Sequence, residues 1–315
     1  VLVVFFMKES AVKKFNLGTV IIISALGFFF FIAVMLMAAV ALSGEGGWSG
    51  WGGDRIAVIY IEGTIFDSRT AVEQMKMYGQ DERVKAILLR IDSPGGGVAA
   101  SQEIHDQVRW LREERKKKVV VSMGSVAASG GYYIACASDH ILANPGTVTG
   151  SIGVIAEWVN YTSLLKWAQM RPEVIKSGEM KDAGSPTREL APKEREYLQS
   201  IINQMYQQFV NAVAAGRADR GLTRERILQL ADGRVYTGEE AVREKLIDEL
   251  GSYEAALRRT AEIAGLRGEP QVVTPPKPRR GSLLDLLTDA DVEGILSKGL
   301  NQAPGASLQF EYLWK

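Results

Sequence analysis

Blocks of apolar residues, separated by polar and turn-forming stretches, predict most elements of this chain. From Leu17 through Leu42 there is no charge, and the run includes Phe28-Phe-Phe-Phe31. As a helix it is long enough to cross a hydrocarbon core of about 30 Å. Further on, the apolar stretches are short and bounded by turn residues. Ile56–Ile61 ends at Glu62-Gly63, Val84–Ile91 runs into Asp92-Ser-Pro-Gly-Gly-Gly97, and Val119–Val121 and His140–Ala143 follow. Each reads as a buried strand. Between the second and third, Val98–Lys116 has Ile104, Val108 and Leu111 along one side of a charged helix. Strands alternating with helices imply βαβ units and a mainly parallel sheet.

A shorter strand is expected near Glu173–Lys176. A long amphipathic helix then runs from Pro192, which suits a first turn, to Ala215. Its Ile202, Met205, Phe209 and Val213 recur at helical spacing, as core or subunit interface. Thr223–Ala231 and Thr237–Lys245 read as two short helices, each opened by a capping threonine. The Pro-containing stretch Val272–Gly281 marks the end of the compact domain. The tail Ser282–Lys315 suits a docking helix, a flexible peptide or a segment ordered on assembly. The expected organisation is therefore a tail (1–16), a transmembrane helix (17–43), a Gly/Trp linker (44–54), an exported domain (55–272) and a C-terminal linker and tail (273–315).

Charge orients the long apolar run. Lys8, Lys13 and Lys14 precede it, so the N-terminus is expected in the cytoplasm and the domain outside, on a single-pass anchor in the plasma membrane. Trp48 and Trp51 suit the lipid–water interface. Ala39-Val-Ala41 resembles a signal-peptidase site, but the run is about twice the length of a signal-peptide core, which favours an uncleaved anchor. The chain has 37 basic and 37 acidic residues, a net charge of zero, and no basic stripe, which argues against nucleic acid as a partner. The single cysteine, Cys136, excludes an intramolecular disulfide and reads as core packing. No metal-ligand cluster and no phosphate loop occurs, so neither metal nor cofactor is expected.

The candidate chemistry lies in Ser122-Met-Gly-Ser-Val-Ala-Ala-Ser129-Gly-Gly-Tyr-Tyr-Ile-Ala-Cys136. A serine on a tight strand-to-helix turn, with free N–H groups beside it, is a candidate nucleophile. Gly130 would donate to a developing oxyanion, with Gly95 or Gly96 supplying a second N–H. Two Gly-rich turns are also what plain connections would need. With only His105 and His140 available, each read as structural or exposed, the substitute base is a lysine. Lys181, in Lys176-Ser-Gly-Glu-Met-Lys181-Asp-Ala-Gly-Ser-Pro186, has to be neutral to take the serine proton, which burial favours. An ion pair with Asp182 would spoil it, unless Asp182 faces elsewhere. Taken alone, Lys181 is equally a solvated surface lysine. Ser151, in Thr149-Gly-Ser-Ile-Gly153, is either a hydroxyl that orients the amine or an ordinary turn serine.

These motifs, together with Asp92-Ser-Pro-Gly-Gly-Gly97 and Thr149-Gly-Ser-Ile-Gly-Val154, resemble the signal peptide peptidase A family of membrane-anchored serine proteases, over about Arg55–Gly265. The resemblance implies the α/β fold shared by Clp peptidases and crotonases, built of ββα units. It implies Ser129 as nucleophile, Lys181 as general base, Ser151 as lysine-positioning residue, and Gly96 and Gly130 at the oxyanion hole. It further implies a ring-shaped homo-oligomer, with an octamer as one candidate, in which the dyad is completed between neighbours. The substrates would be remnant signal peptides, with small apolar residues before the scissile bond. The competing readings are an acyl-CoA enzyme of the crotonase type and a non-catalytic membrane scaffold on the same fold.

Overall fold

The computed structural model describes residues 26–35, 53–267, 271–275 and 309–313. The chain divides into two units, Val1–Gly53 and Asp54–Lys315. In the first, residues 26–35 form an exposed helix (α1). Among the described residues no helix is long and apolar enough to cross a membrane. The remainder of the expected 17–43 span, its flanking lysines and both tryptophans lie outside the described residues.

The second unit is built on a parallel sheet in the order β10 (Gln271–Val273), β1 (Arg55–Glu62), β2 (Val84–Ser93), β4 (Lys118–Ala128), β5 (His140–Ala143), β9 (Glu249–Leu250). Both faces are covered. Ala57, Ile59 and Ile61 of β1 enter the larger core, with α2 (Arg69–Gln80), α3 (Val98–Glu113), α4 (Gly130–Ala135) and α6 (Pro192–Arg217). Ile56 and Val58 enter a smaller core with α9 (Tyr253–Ile263). Double burial is why these strands read as unbroken apolar runs.

β4 is the longest strand of this sheet and serves two neighbours in turn. Its first half pairs with β5, and its last residues, Val126–Ala128, pair in parallel with β6 (Val148–Gly150). β8 (Val235–Thr237) closes that side antiparallel to β6. A second, three-stranded sheet consists of β3 (Gly95–Gly97), β11 (Gln309–Leu313) and β7 (Ile155–Glu157), with β11 in the centre. Helices α5 (Thr162–Trp167), α7 (Arg224–Leu230) and α8 (Gly238–Arg243) complete the described set. As expected, Thr223 and Thr237 cap α7 and α8, accepting from the N–H groups of Arg226 and Glu240.

The strand expected near Glu173–Lys176 is absent. Residues 171–176 have no regular structure, and Ile175 is fully exposed. Its apolar side chains meet no neighbouring strand in the single chain, and an unpaired strand has no ladder to hold it. The tail, left open by the sequence, contributes β11.

Candidate active site

Ser129 joins the end of β4 to the start of α4. Its backbone adopts φ 51°, ψ −114°, a region that a residue with a Cβ seldom occupies. Two bonds hold it there. Its N–H donates to the Gly150 carbonyl at 2.8 Å, and its carbonyl accepts from the Tyr133 N–H at 2.8 Å. The residue is buried, yet its side chain does not cap the helix it precedes, and among the described residues its hydroxyl makes no hydrogen bond. Gly130 opens α4, so its N–H has no acceptor within the helix. A Cβ at Gly130 would come within 2.5 Å of Ser101 Oγ and 3.2 Å of Gly95 Cα, so only glycine fits between these segments.

β3 lies across this turn. Ile65 donates to the Gly95 carbonyl and accepts from the Gly97 N–H, both at 2.8 Å. Along a strand the polar groups alternate in direction, so the N–H and C=O of Gly96 are turned to the opposite edge. Ser151 arrives from the other side. β6 pairs with β4 so that Ala128 faces Gly150, and Ser129 and Ser151 are each one residue past that pair. Ser151 is buried, has φ 50°, and donates its N–H to the Arg234 carbonyl at 2.9 Å. It opens onto a cavity of about 500 Å³ shared with Ile155, Tyr206 and Asp232.

The structure thus gathers Ser129, Gly130, Gly96 and Ser151. Lys181 is not joined to them by a hydrogen bond within one chain. It sits on an exposed 3-10 turn, Glu179–Asp182, and among the described residues its amine has no hydrogen bond or ion pair. Among the described residues nothing supplies the burial expected of it. Asp182 does face elsewhere. It accepts from Arg188 at 3.0 Å and pairs with Lys176. Those two cations hold its carboxyl well below the usual range, Arg188 most strongly. Arg188 also reaches Glu194 at 2.8 Å, tying the turn to the start of α6.

Sequence reasoning missed the walls of the site. Ile65, which orders β3, carries no signal beyond an ordinary apolar residue. Tyr133 and Phe209 were legible only as motif and core residues, yet their rings lie 5.1 Å apart beside the site. Burial pushes the Tyr133 phenol up to about 12, so it is a neutral wall residue rather than a base.

The chain is similar to known peptidases. The profile of Peptidase family S49 matches residues 112–267, and that of Clp protease matches residues 53–145. The chain is 44% identical over 249 residues to the "Putative protease slr0021" of Synechocystis sp., covering 76% of this chain and 88% of that protein. It is 34% identical over 257 residues to the "Putative protease MJ0651" of Methanocaldococcus jannaschii, covering 77% and 80%. It is 37% identical over 192 residues to the "Putative signal peptide peptidase SppA" of Enterococcus faecium, covering 61% and 55%. With a Clp-protease-like α/β sheet and relatives matched over most of their length, the chain belongs to peptidase family S49, the signal peptide peptidase A family of serine peptidases.

Proposed function

We propose that this chain is a membrane-anchored endopeptidase in which Ser129 is the nucleophile and Lys181 of a neighbouring copy is the general base. Ser151 positions the amine, and the N–H groups of Gly96 and Gly130 stabilise the oxyanion. The observation that carries the reading is Ser129 itself: a strained, buried residue whose hydroxyl makes no hydrogen bond among the described residues, beside an N–H that no helix carbonyl uses. The exposed amine of Lys181, unpaired among the described residues, supports completion across an interface, where a second copy would shield it from solvent. The apolar run 17–43 supports the anchor, with the domain on the extracytoplasmic side and the ring as the assembled form. The name of the Enterococcus faecium relative supports remnant signal peptides as substrates.

The chemistry is acyl transfer. Ser129 Oγ bonds to the peptide carbonyl carbon as its proton passes to the neutral lysine amine. The C–N bond then breaks, and the ammonium returns that proton to the leaving nitrogen. Water, deprotonated by the same amine, releases the acyl group.

Ser129→Ala and Lys181→Ala should each abolish hydrolysis of a quenched fluorescent peptide, with folding unchanged. Co-assembling the two inactive proteins should restore part of the activity, because some interfaces then carry both groups. A mixture that stays inactive would place the dyad within one chain or remove Lys181 from it. Activity should rise with pH, since the neutral amine is the reactive form.

A further inference from the structure

The two N–H groups assigned to the oxyanion belong to different parts of the fold, Gly96 to β3 and Gly130 to the start of α4. Neither residue has a side chain to pack, so whatever touches their backbones must fix them. Gly95, at φ 103°, adds a conformation that few other residues adopt. The two segments are nonetheless in close contact. A Cβ built on Gly95 would lie 2.7 Å from the Gly130 nitrogen, and one on Gly130 would lie 3.2 Å from Gly95 Cα.

Two serines with no role assigned so far are completely buried at this junction, Ser93 and Ser101. Ser93 Oγ accepts from the Gly95 N–H at 3.1 Å. Pro94, between them, offers no N–H of its own, so this bond fixes the turn. The main chain of Ser93 also abuts α4: a Cβ on Gly131 would lie 3.1 Å from the Ser93 carbonyl oxygen. Ser101, on α3, donates its hydroxyl to the Gly97 carbonyl at 3.0 Å. A bond of that kind is commonplace in a helix. Here, however, the same oxygen fills the space in which a Gly130 side chain would stand, 2.5 Å from its Cβ position. With Ile65, which takes the Gly95 carbonyl and the Gly97 N–H, the two serines engage the polar groups on either side of Gly96.

We propose that Ser93 and Ser101 are positioning residues that fasten the two halves of the oxyanion hole to each other. Neither has to touch substrate; they act through Gly96 and Gly130. This rests on the reading of Ser129 as nucleophile and of those two N–H groups as its oxyanion donors. Without the Ser93 hydroxyl, the Gly95 N–H is buried with no acceptor. The segment then turns to find one and carries the adjoining Gly96 N–H with it. Without the Ser101 hydroxyl, nothing supports Gly130 from below. The donors serve the oxyanion more than the ground-state carbonyl, so the loss falls on kcat rather than KM.

The test uses the full chain with a peptide ester and its thionoester, in which sulfur replaces the carbonyl oxygen. Sulfur is a weak hydrogen-bond acceptor, so the ratio of the two rates reports how well the donors are placed. Ser93→Ala and Ser101→Ala should each lower kcat for the ester roughly tenfold to a hundredfold with KM little changed. The ester-to-thionoester ratio should fall in proportion. Ser93→Thr, which keeps the hydroxyl, should restore most of both. Ser93→Cys, which keeps the bulk but accepts weakly, should behave like the alanine variant and gives the same reading if that variant does not fold. Variants with a lowered melting temperature but a wild-type kcat and ratio would overturn the inference, making both serines structural only. So would ester and thionoester rates that fall together. In either case a wild-type protein that cleaves the ester and reacts with a fluorophosphonate at Ser129 leaves the nucleophile intact. A wild-type protein that does neither would overturn the reading of Ser129 itself.

Discussion

A serine held at φ 51° carries a conformational cost on the order of 1–3 kcal/mol, which the rest of the fold must offset. The hydrogen bonds to Gly150 and Tyr133 provide the fixing contacts. Ser129→Gly, which tolerates that conformation, is expected to raise thermal stability while eliminating activity; Ser129→Ala should eliminate activity without that gain. Parallel melts of the three proteins check this. A different residue pair secures the core. Arg217 is buried and donates to both oxygens of Asp248 at 3.0 Å. Burial alone would push the Asp248 carboxyl up, but the bonds from Arg217 and Arg220 outweigh it and hold the group below its usual range. Asp248→Ala leaves a guanidinium buried without its partner and should cost about 3–5 kcal/mol in urea unfolding. Because the folded carboxyl is shifted down, its contribution is complete above the unfolded value of about 4 and is lost as pH falls through the folded one. The Asp248→Ala protein should accordingly show a shallower acid dependence of its melting temperature.

At the scale of elements, the turn bearing Lys181 is restrained by a chain of ion pairs, Lys176–Asp182–Arg188–Glu194, rather than by a packed core. Arg188→Ala should raise amide hydrogen exchange across residues 178–188 and lower kcat/KM, with little change in the melting temperature of the domain. The carboxyls of Asp182 and Glu194 are both held below their usual ranges, chiefly by Arg188. The clamp is therefore intact at neutral pH and opens only under acid conditions. The elements most legible in the sequence were those whose signal is local. β1, β2 and α3 announce themselves because burial on two faces, or on one helical stripe, leaves a periodic trace. Thr223 and Thr237 were readable because capping is decided within a few residues. The three-residue strands β3, β6 and β7 were not, since each exists only by pairing with a distant partner. The expected strand near Glu173–Lys176 failed for the complementary reason: it has the composition but no neighbour. The site divides the same way. Ser129 and Gly130 follow from a strand running into a Gly-Gly turn, whereas the contact between the Tyr133 and Phe209 rings depends on how α4 meets α6.

For the whole molecule, the distribution of exposed apolar residues bears on assembly. Ile155, Val159, Leu164, Trp167, Met170, Val174 and Ile175 are all exposed within one segment leading toward Lys181. In the proposed ring this segment is the natural contact between copies, a cover that would also desolvate the lysine. Trp167→Glu combined with Ile175→Asp should dissociate the assembly in light scattering and reduce activity in parallel, while the isolated protomer keeps its far-ultraviolet circular dichroism.

The slot between β3 and β7, filled by β11, imposes a mechanical condition on any chain that lies in it. A helix advances about 1.5 Å per residue and spends its own amides internally. A chain lying between two strand edges advances about 3.3 Å and must offer those amides outward on both sides. A membrane-spanning peptide, the substrate proposed above, would therefore have to be unwound and roughly doubled in length to lie there. In the hydrocarbon core that unwinding would strand polar groups, so it belongs at the water boundary. The rate at which helical peptides are pulled straight, rather than acyl transfer, would then set how quickly long apolar segments are cleared.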